Sequence, residues 1–140
     1  MATKTVVALL VGLALASIHP VEAQQPGKLH RIGYLESGSA SGSTHLLDAF
    51  RQGLHELGHV EGKNIDIEYR YAEGKTERLP ALAAELVRLK VDAILVRATG
   101  EALAVKEATS TIPIIILNVG NPMAAGLIAS LARPGGNITG

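Results

Sequence analysis

Cysteine and tryptophan are absent from the 140 residues, and aromatic side chains are confined to Tyr34, Phe50, Tyr69 and Tyr71. Without cysteine there can be no disulfide, no thiol nucleophile, and no Cys-ligated zinc or iron–sulfur cluster. So few aromatics leave no stacking platform for bases. Charge of one sign is lacking as well. Thirteen Lys and Arg balance thirteen Asp and Glu, without blocks, so the basic stripe of a nucleic-acid binder is missing. What is there is apolar: hydrophobic residues make up 47% and charged residues 19%. That balance, over this length, reads as one domain with a buried core.

The amino terminus belongs to a different category. MATKT carries one positive charge at Lys4, and VVALLVGLALA (6–16) is an apolar run too short to span a bilayer comfortably. SIHPVEA follows, with Val21 and Ala23 at the minus-three and minus-one positions. Residues 1–23 therefore read as a secretory signal peptide cut after Ala23; the alternative is an uncleaved anchor. No cysteine follows the apolar run, which excludes lipid attachment there. The mature chain, residues 24–140, is expected to be free in a bacterial periplasm and not membrane-spanning.

After the polar leader QQPGK the hydrophobic period alternates between two and about 3.6, as in repeated strand–helix units. HRIGYLE (30–36) reads as a strand and SGSASGS (37–43) as a loop. A helix is expected over 44–57, with Leu47, Phe50, Leu54 and Leu57 on its inner face. NIDIEYRY (64–71) alternates as a half-buried strand, and a helix over 76–89 presents Leu79, Leu82, Leu86 and Leu89 inward. Pro80 suits that helix only in its first turn. DAILVRA (92–98) is a third strand, with Thr99 as N-cap of the next helix. The unbroken run at 114–119 predicts a fourth strand covered on both faces. Asn121 then caps a helix with Pro122 at its first position, running through MAAGLIASLA to the stop signal ARPGGN. A further strand or crossover should begin at NITG. Four βα units predict an α/β fold: a parallel, doubly wound sheet with helices on both faces. Ligands then bind beyond the carboxyl ends of the strands, a rim formed by residues 37–43, 71–74, 98–100 and 118–121.

Single motifs add little. HELGH (55–59) matches the zinc-peptidase pattern H-E-x-x-H. Gly58, however, should end the helix and carry His59 past it, which breaks the required pairing one turn apart, so no metal site is expected. The 37–43 loop lacks the lysine of a phosphate-binding loop, but its hydroxyls and amides suit a ligand cleft, as do Thr99 and Gly100. No serine has G-x-S-x-G context, no histidine lies in the rim, and Glu36 and Glu73 are single acidic residues rather than a pair. His30 and His45 read as surface residues. The N-glycosylation match at 137–139 is idle behind a bacterial-type export signal.

The series of segments is more specific. RIGYLESGS, AFRQGLHELGHVEGKNIDIEYRYAEG, ERLPALAAELVRLKVDAILV, TSTIPIIILNVGNP and AGLIASLARPGGNITG resemble, throughout residues 31–140, the ABC transporter substrate-binding proteins of the tryptophan/tyrosine type. That resemblance implies the amino-terminal lobe of a two-lobed receptor that closes on a small solute such as an amino acid and hands it to an ABC permease in the inner membrane. It implies no catalysis, no cofactor and no nucleic-acid partner. The implied ligand-binding positions are Ser37, Gly38, Ser39, Tyr71, Thr99, Gly100 and Asn121. The family often has aspartate where Asn121 stands, which takes away a carboxylate partner for a ligand amino group. It often has an aromatic where His59 stands, which makes HELGH an accident of that turn. Members continue into a second lobe beyond PGGNITG, so the chain is expected to be a fragment or a truncated frame with one wall of the cleft. The rival readings are a small exported α/β hydrolase and a nonfunctional remnant.

Overall fold

The computed structural model describes residues 29–117, 120–124, 126–127 and 136–139. The expected signal peptide, and much of the helix expected after Pro122, lie outside the described residues. Three α-helices and five strands are described: β1 His30–Glu36, α1 Thr44–Glu56, β2 Ile65–Tyr71, α2 Leu79–Arg88, β3 Ala93–Val96, α3 Thr99–Ala108, β4 Ile114–Ile116 and β5 Ile138–Thr139. Short 3-10 turns at Ala40–Ser43 and Thr76–Arg78 lead into α1 and α2.

The strands form one sheet in the order β2-β1-β3-β4-β5, every pair parallel. This is the expected α/β architecture. From β1 the chain crosses to β2 on one side, then returns past β1 to β3 and β4. Right-handed crossovers in opposite directions place their helices on opposite faces. Accordingly α1 packs Leu47, Phe50 and Leu54 against Tyr34, Ile67 and Leu95. On the other face α2 and α3 pack Leu82, Leu86, Ala102 and Val105 against Leu35, Ile94, Val96 and Ile114. Gly33 lets α2 approach β1, because a Cβ there would lie 3.1 Å from Leu86 Cδ1.

Helix ends account for two misplaced leucines. Leu57 is 77% exposed and Leu89 36% exposed, although both continue an inward stripe in sequence. Each is a C-cap, where the chain leaves the helix. Beyond Leu57, Gly58 at φ +85° closes a Schellman motif: its N–H donates to the His55 carbonyl and the His59 N–H to the Leu54 carbonyl. Lys90 makes the corresponding left-handed turn after α2, at φ 54°.

Two other expectations are corrected. Thr99 is the first residue of α3, and Ala98, without a polar side chain, holds the N-cap position. The fourth strand is not sealed on both faces. Ile114 is fully buried, but Ile115 and Ile116 are half-buried and Leu117 is 50% exposed. With α2 and α3 on one face and α1 lying over Tyr34, Ile67 and Leu95, no described helix covers Leu117. After Pro122, residues 122–124 form a turn. Asn121 Oδ1 accepts the Ala124 N–H at 3.0 Å, a local cap of the kind expected of it.

Candidate functional site

Because β2 and β3 flank β1, the strand order reverses between β1 and β3, and the crevice of a parallel sheet opens at the carboxyl ends of that pair. Register places four side chains in one row there. Glu36 pairs with Tyr71, Leu35 with Val96 and Val96 with Ile116. One residue on, this sets Tyr71, Glu36, Arg97 and Leu117 side by side, on the α1 face that Tyr34 and Leu95 also occupy.

Charges occupy the centre of the row. Arg97 Nη1 donates to Glu36 Oε1 at 2.8 Å, and the Tyr34 hydroxyl donates to Glu36 Oε2 at 2.6 Å. Glu36 is thus a buried carboxylate with a charged and a neutral donor, the condition under which burial of a charge is tolerated. Burial, and then the bond to Glu36, push the Tyr34 hydroxyl well above the usual tyrosine range. Tyr71 stacks on Tyr69 with ring centroids 6.3 Å apart and planes within 2°. The Tyr69 hydroxyl is raised to about 12, by burial first and then by its bond to Glu61.

A second carboxylate, unanticipated from the sequence, ties the reversal point together. Glu101, 2% exposed, accepts the Ser37 N–H at 2.6 Å and the Ser37 hydroxyl at 2.8 Å through Oε1. Through Oε2 it accepts the N–H groups of Arg97 at 2.8 Å and Ala98 at 3.0 Å. As the third residue of α3 it caps its own helix from within, as the glutamate of a capping box does. It also joins the end of β1 to the end of β3.

The expected site residues do not all converge on one point. Ser37 and Gly38 accept the backbone N–H groups of Gly74 and Glu73, so the rim segments after β1 and β2 are zipped together. Ser39 holds the 3-10 turn through its carbonyl and hydroxyl. Thr99 and Gly100 open α3 above Ala98 and so share the β1–β3 crevice, and Gly100 is exposed. Tyr71 stands on the β2 side of Glu36. The described hydrogen bond of Asn121 stays within its own turn, with no link to the Ser37–Glu101 group. Sequence reasoning missed Arg97 and Glu101 and took Glu36 for an isolated rim acid. Three ionisable residues at the ends of two buried strands, Glu36, Arg97 and Glu101, were the signal available.

HELGH lies at the carboxyl end of α1. His55, Glu56 and His59 line a surface cavity of about 430 Å³ with Arg51, Gln52, Val60 and Glu61. His59 is beyond the helix end, as expected, and Arg51 takes Glu61 at 2.9 Å. Among the described residues no group of three His, Asp or Glu side chains is placed to hold a metal ion, and no helix is long and apolar enough to cross a membrane.

Known proteins supply the context. The profile of the ABC transporter substrate binding protein family matches residues 39–140. A tyrosine-binding protein of Clostridioides difficile (strain R20291) is 37% identical over 91 residues, 65% of this chain and 26% of that protein. The ligand-free, open structure of a Clostridium difficile substrate binding protein with adhesive properties superimposes with a TM-score of 0.74 at 32% identity, covering 79% of this chain and 38% of that one. An ABC domain from Streptococcus pneumonia in complex with L-Trp gives 0.72 at 28% identity, over 79% and 37%. The chain thus spans about a quarter of the curated relative it matches and less than two fifths of these solved chains. With a profile match over most of its length and the same parallel sheet, the chain belongs to the ABC transporter substrate binding protein family.

Proposed function

We propose that the chain is the solute-binding part of an exported receptor for an ABC-type import system, holding a small amino-acid-like solute and delivering it to a membrane permease. The observation that carries this reading is the row of Tyr71, Glu36, Arg97 and Leu117 at the strand-order reversal. It offers an aromatic ring, a charge pair and an exposed apolar side chain where open α/β sheets take ligands. The relatives suggest the ligand class, since one is a tyrosine-binding protein and another holds L-Trp. In this reading Ser37, Gly38, Ser39, Thr99, Gly100 and Asn121 complete the lining around Tyr71. The role in this reading is binding and not catalysis: the Ser37 hydroxyl donates to a buried carboxylate, and no described hydrogen bond joins it to a histidine. Cleavage of residues 1–23 would place the mature chain in the periplasm.

Small-molecule sites bury about 70–90% of a ligand's surface, and one open strand edge covers only one side. Binding by this chain alone should therefore be weak, with a Kd near about 1 mM, or about −4 kcal/mol. Titration with L-tyrosine and L-tryptophan, followed through backbone amide NMR shifts, should perturb Ser37, Tyr71 and Arg97 first. Submicromolar affinity, no perturbation at all, or shifts confined to the cavity around His55 and His59 would overturn the reading.

A further inference from the structure

The amide donors at the start of α3 are the obvious place for a ligand's carboxylate, since N–H groups at a helix N-terminus favour anions. In this chain the approach to it already carries a buried negative charge. Glu101 accepts the N–H and hydroxyl of Ser37 and the N–H groups of Arg97 and Ala98, the residues that lead into α3. A second carboxylate brought beside it would lose its water and face a like charge.

Among the described residues, Arg97 brings a cationic donor to the reversal point. Arg97 has five N–H donors in a planar fork, of which the structure commits one, on Nη1, to Glu36. The two partners are unequally buried: the Glu36 side chain is 9% exposed and that of Arg97 28%. The member of the pair that meets the crevice is thus the cation. Its plane is held from below, because Glu36 is itself fixed by the Tyr34 hydroxyl. Tyr71 and Leu117 flank the pair in the row, ring on one side and aliphatic chain on the other. A guanidinium anchored to Glu36 and still partly exposed suits bidentate recognition of a carboxylate.

We infer that Arg97 is the specificity-determining residue for the ligand's carboxylate, with Glu36 as the positioning residue that orients it. The inference rests on the solute-receptor reading above and adds to it which atoms read the anionic group.

The test compares L-tryptophan with tryptamine, which keeps the ring and ammonium group and lacks the carboxylate. The natural chain should prefer tryptophan by roughly 10- to 100-fold, the range for a hydrogen bond to a charged group. Arg97→Gln should abolish that preference, with tryptamine gaining from the freed Glu36 carboxylate, and the circular dichroism spectrum of the variant reports whether it is folded. Arg97→Lys, which keeps charge without the fork, should retain part of it. Arg97→Gln leaves Glu36 buried without its cation, so the double variant Glu36→Gln/Arg97→Gln provides a second arm without an orphaned charge and should also show no preference. A preference for tryptophan that survives either Gln-bearing variant overturns the role of Arg97 and leaves the receptor reading standing. Failure of the natural chain to bind either compound overturns both.

Discussion

At the residue scale, Glu101 is the side chain whose loss should cost most. It answers four donors at a part-buried strand-to-helix junction, and a buried donor left unsatisfied costs about 1–3 kcal/mol. Glu101→Ala orphans the N–H groups of Ser37, Arg97 and Ala98 together. The expected loss is about 3–5 kcal/mol, a large share of the roughly 5–15 kcal/mol that holds a domain folded. Glu101→Gln keeps the shape and one acceptor oxygen and should cost about half as much. Urea denaturation of the two variants checks both figures, and a Glu101→Ala chain as stable as its parent would remove Glu101 from the account. Glu101 was hard to see in advance because a glutamate in a helix's first turn has a sufficient local reason to be there. Its bond to Ser37 spans 64 residues of sequence, and no local pattern encodes such a partner.

At the scale of elements, the tightest approach is that of α2 to β1. Leu86 is fully buried, and a methyl at position 33 would come within 3.1 Å and 3.2 Å of its two terminal carbons and 3.3 Å of Ile94 Cγ1. Each contact is closer than ordinary van der Waals packing, so Leu86 or Ile94 would have to shift by a few tenths of an ångström. Gly33→Ala should therefore destabilise the fold by about 1–3 kcal/mol, as overpacked cores do, although alanine suits a strand better than glycine. Thermal denaturation gives the direct comparison; an unchanged or raised Tm would mean that α2 can slide on the sheet. The inward stripe of α2 was legible at Leu79, Leu82 and Leu86 because 3.6 periodicity reports burial along a helix. It failed at Leu89, as at Leu57 of α1, because periodicity has no meaning once a cap turns the chain away.

For the whole molecule, the order β2-β1-β3-β4-β5 fixes both the place of the crevice and the unequal cover of the two faces. The receptor reading also requires a route out of the cytoplasm. The Lys4 charge, the apolar run at 6–16 and the small residues at 21 and 23 satisfy the requirements of a cleaved signal. Expressed in a Gram-negative host, the chain should be recovered from the periplasm with Gln24 at its amino terminus, a point that intact-mass spectrometry decides. Recovery from the membrane fraction with Met1 retained would argue for an anchor and against cleavage after Ala23.

The amino-acid sequence by itself determined the alternation of strand and helix, the parallel sheet and the turn that ends α1 at Gly58. Each of these is written in short-range terms: a period of two or 3.6, a capping residue, a glycine able to hold positive φ. Only the tertiary structure decided how the end of β1 meets the end of β3. Glu36 and Arg97 lie 61 residues apart, and in sequence they read as the last residue of one strand and a residue near the end of another. Folding removes water from between them and lowers the local dielectric, so isolated charges become an oriented pair. The same folding hands the Ser37, Arg97 and Ala98 amides to Glu101.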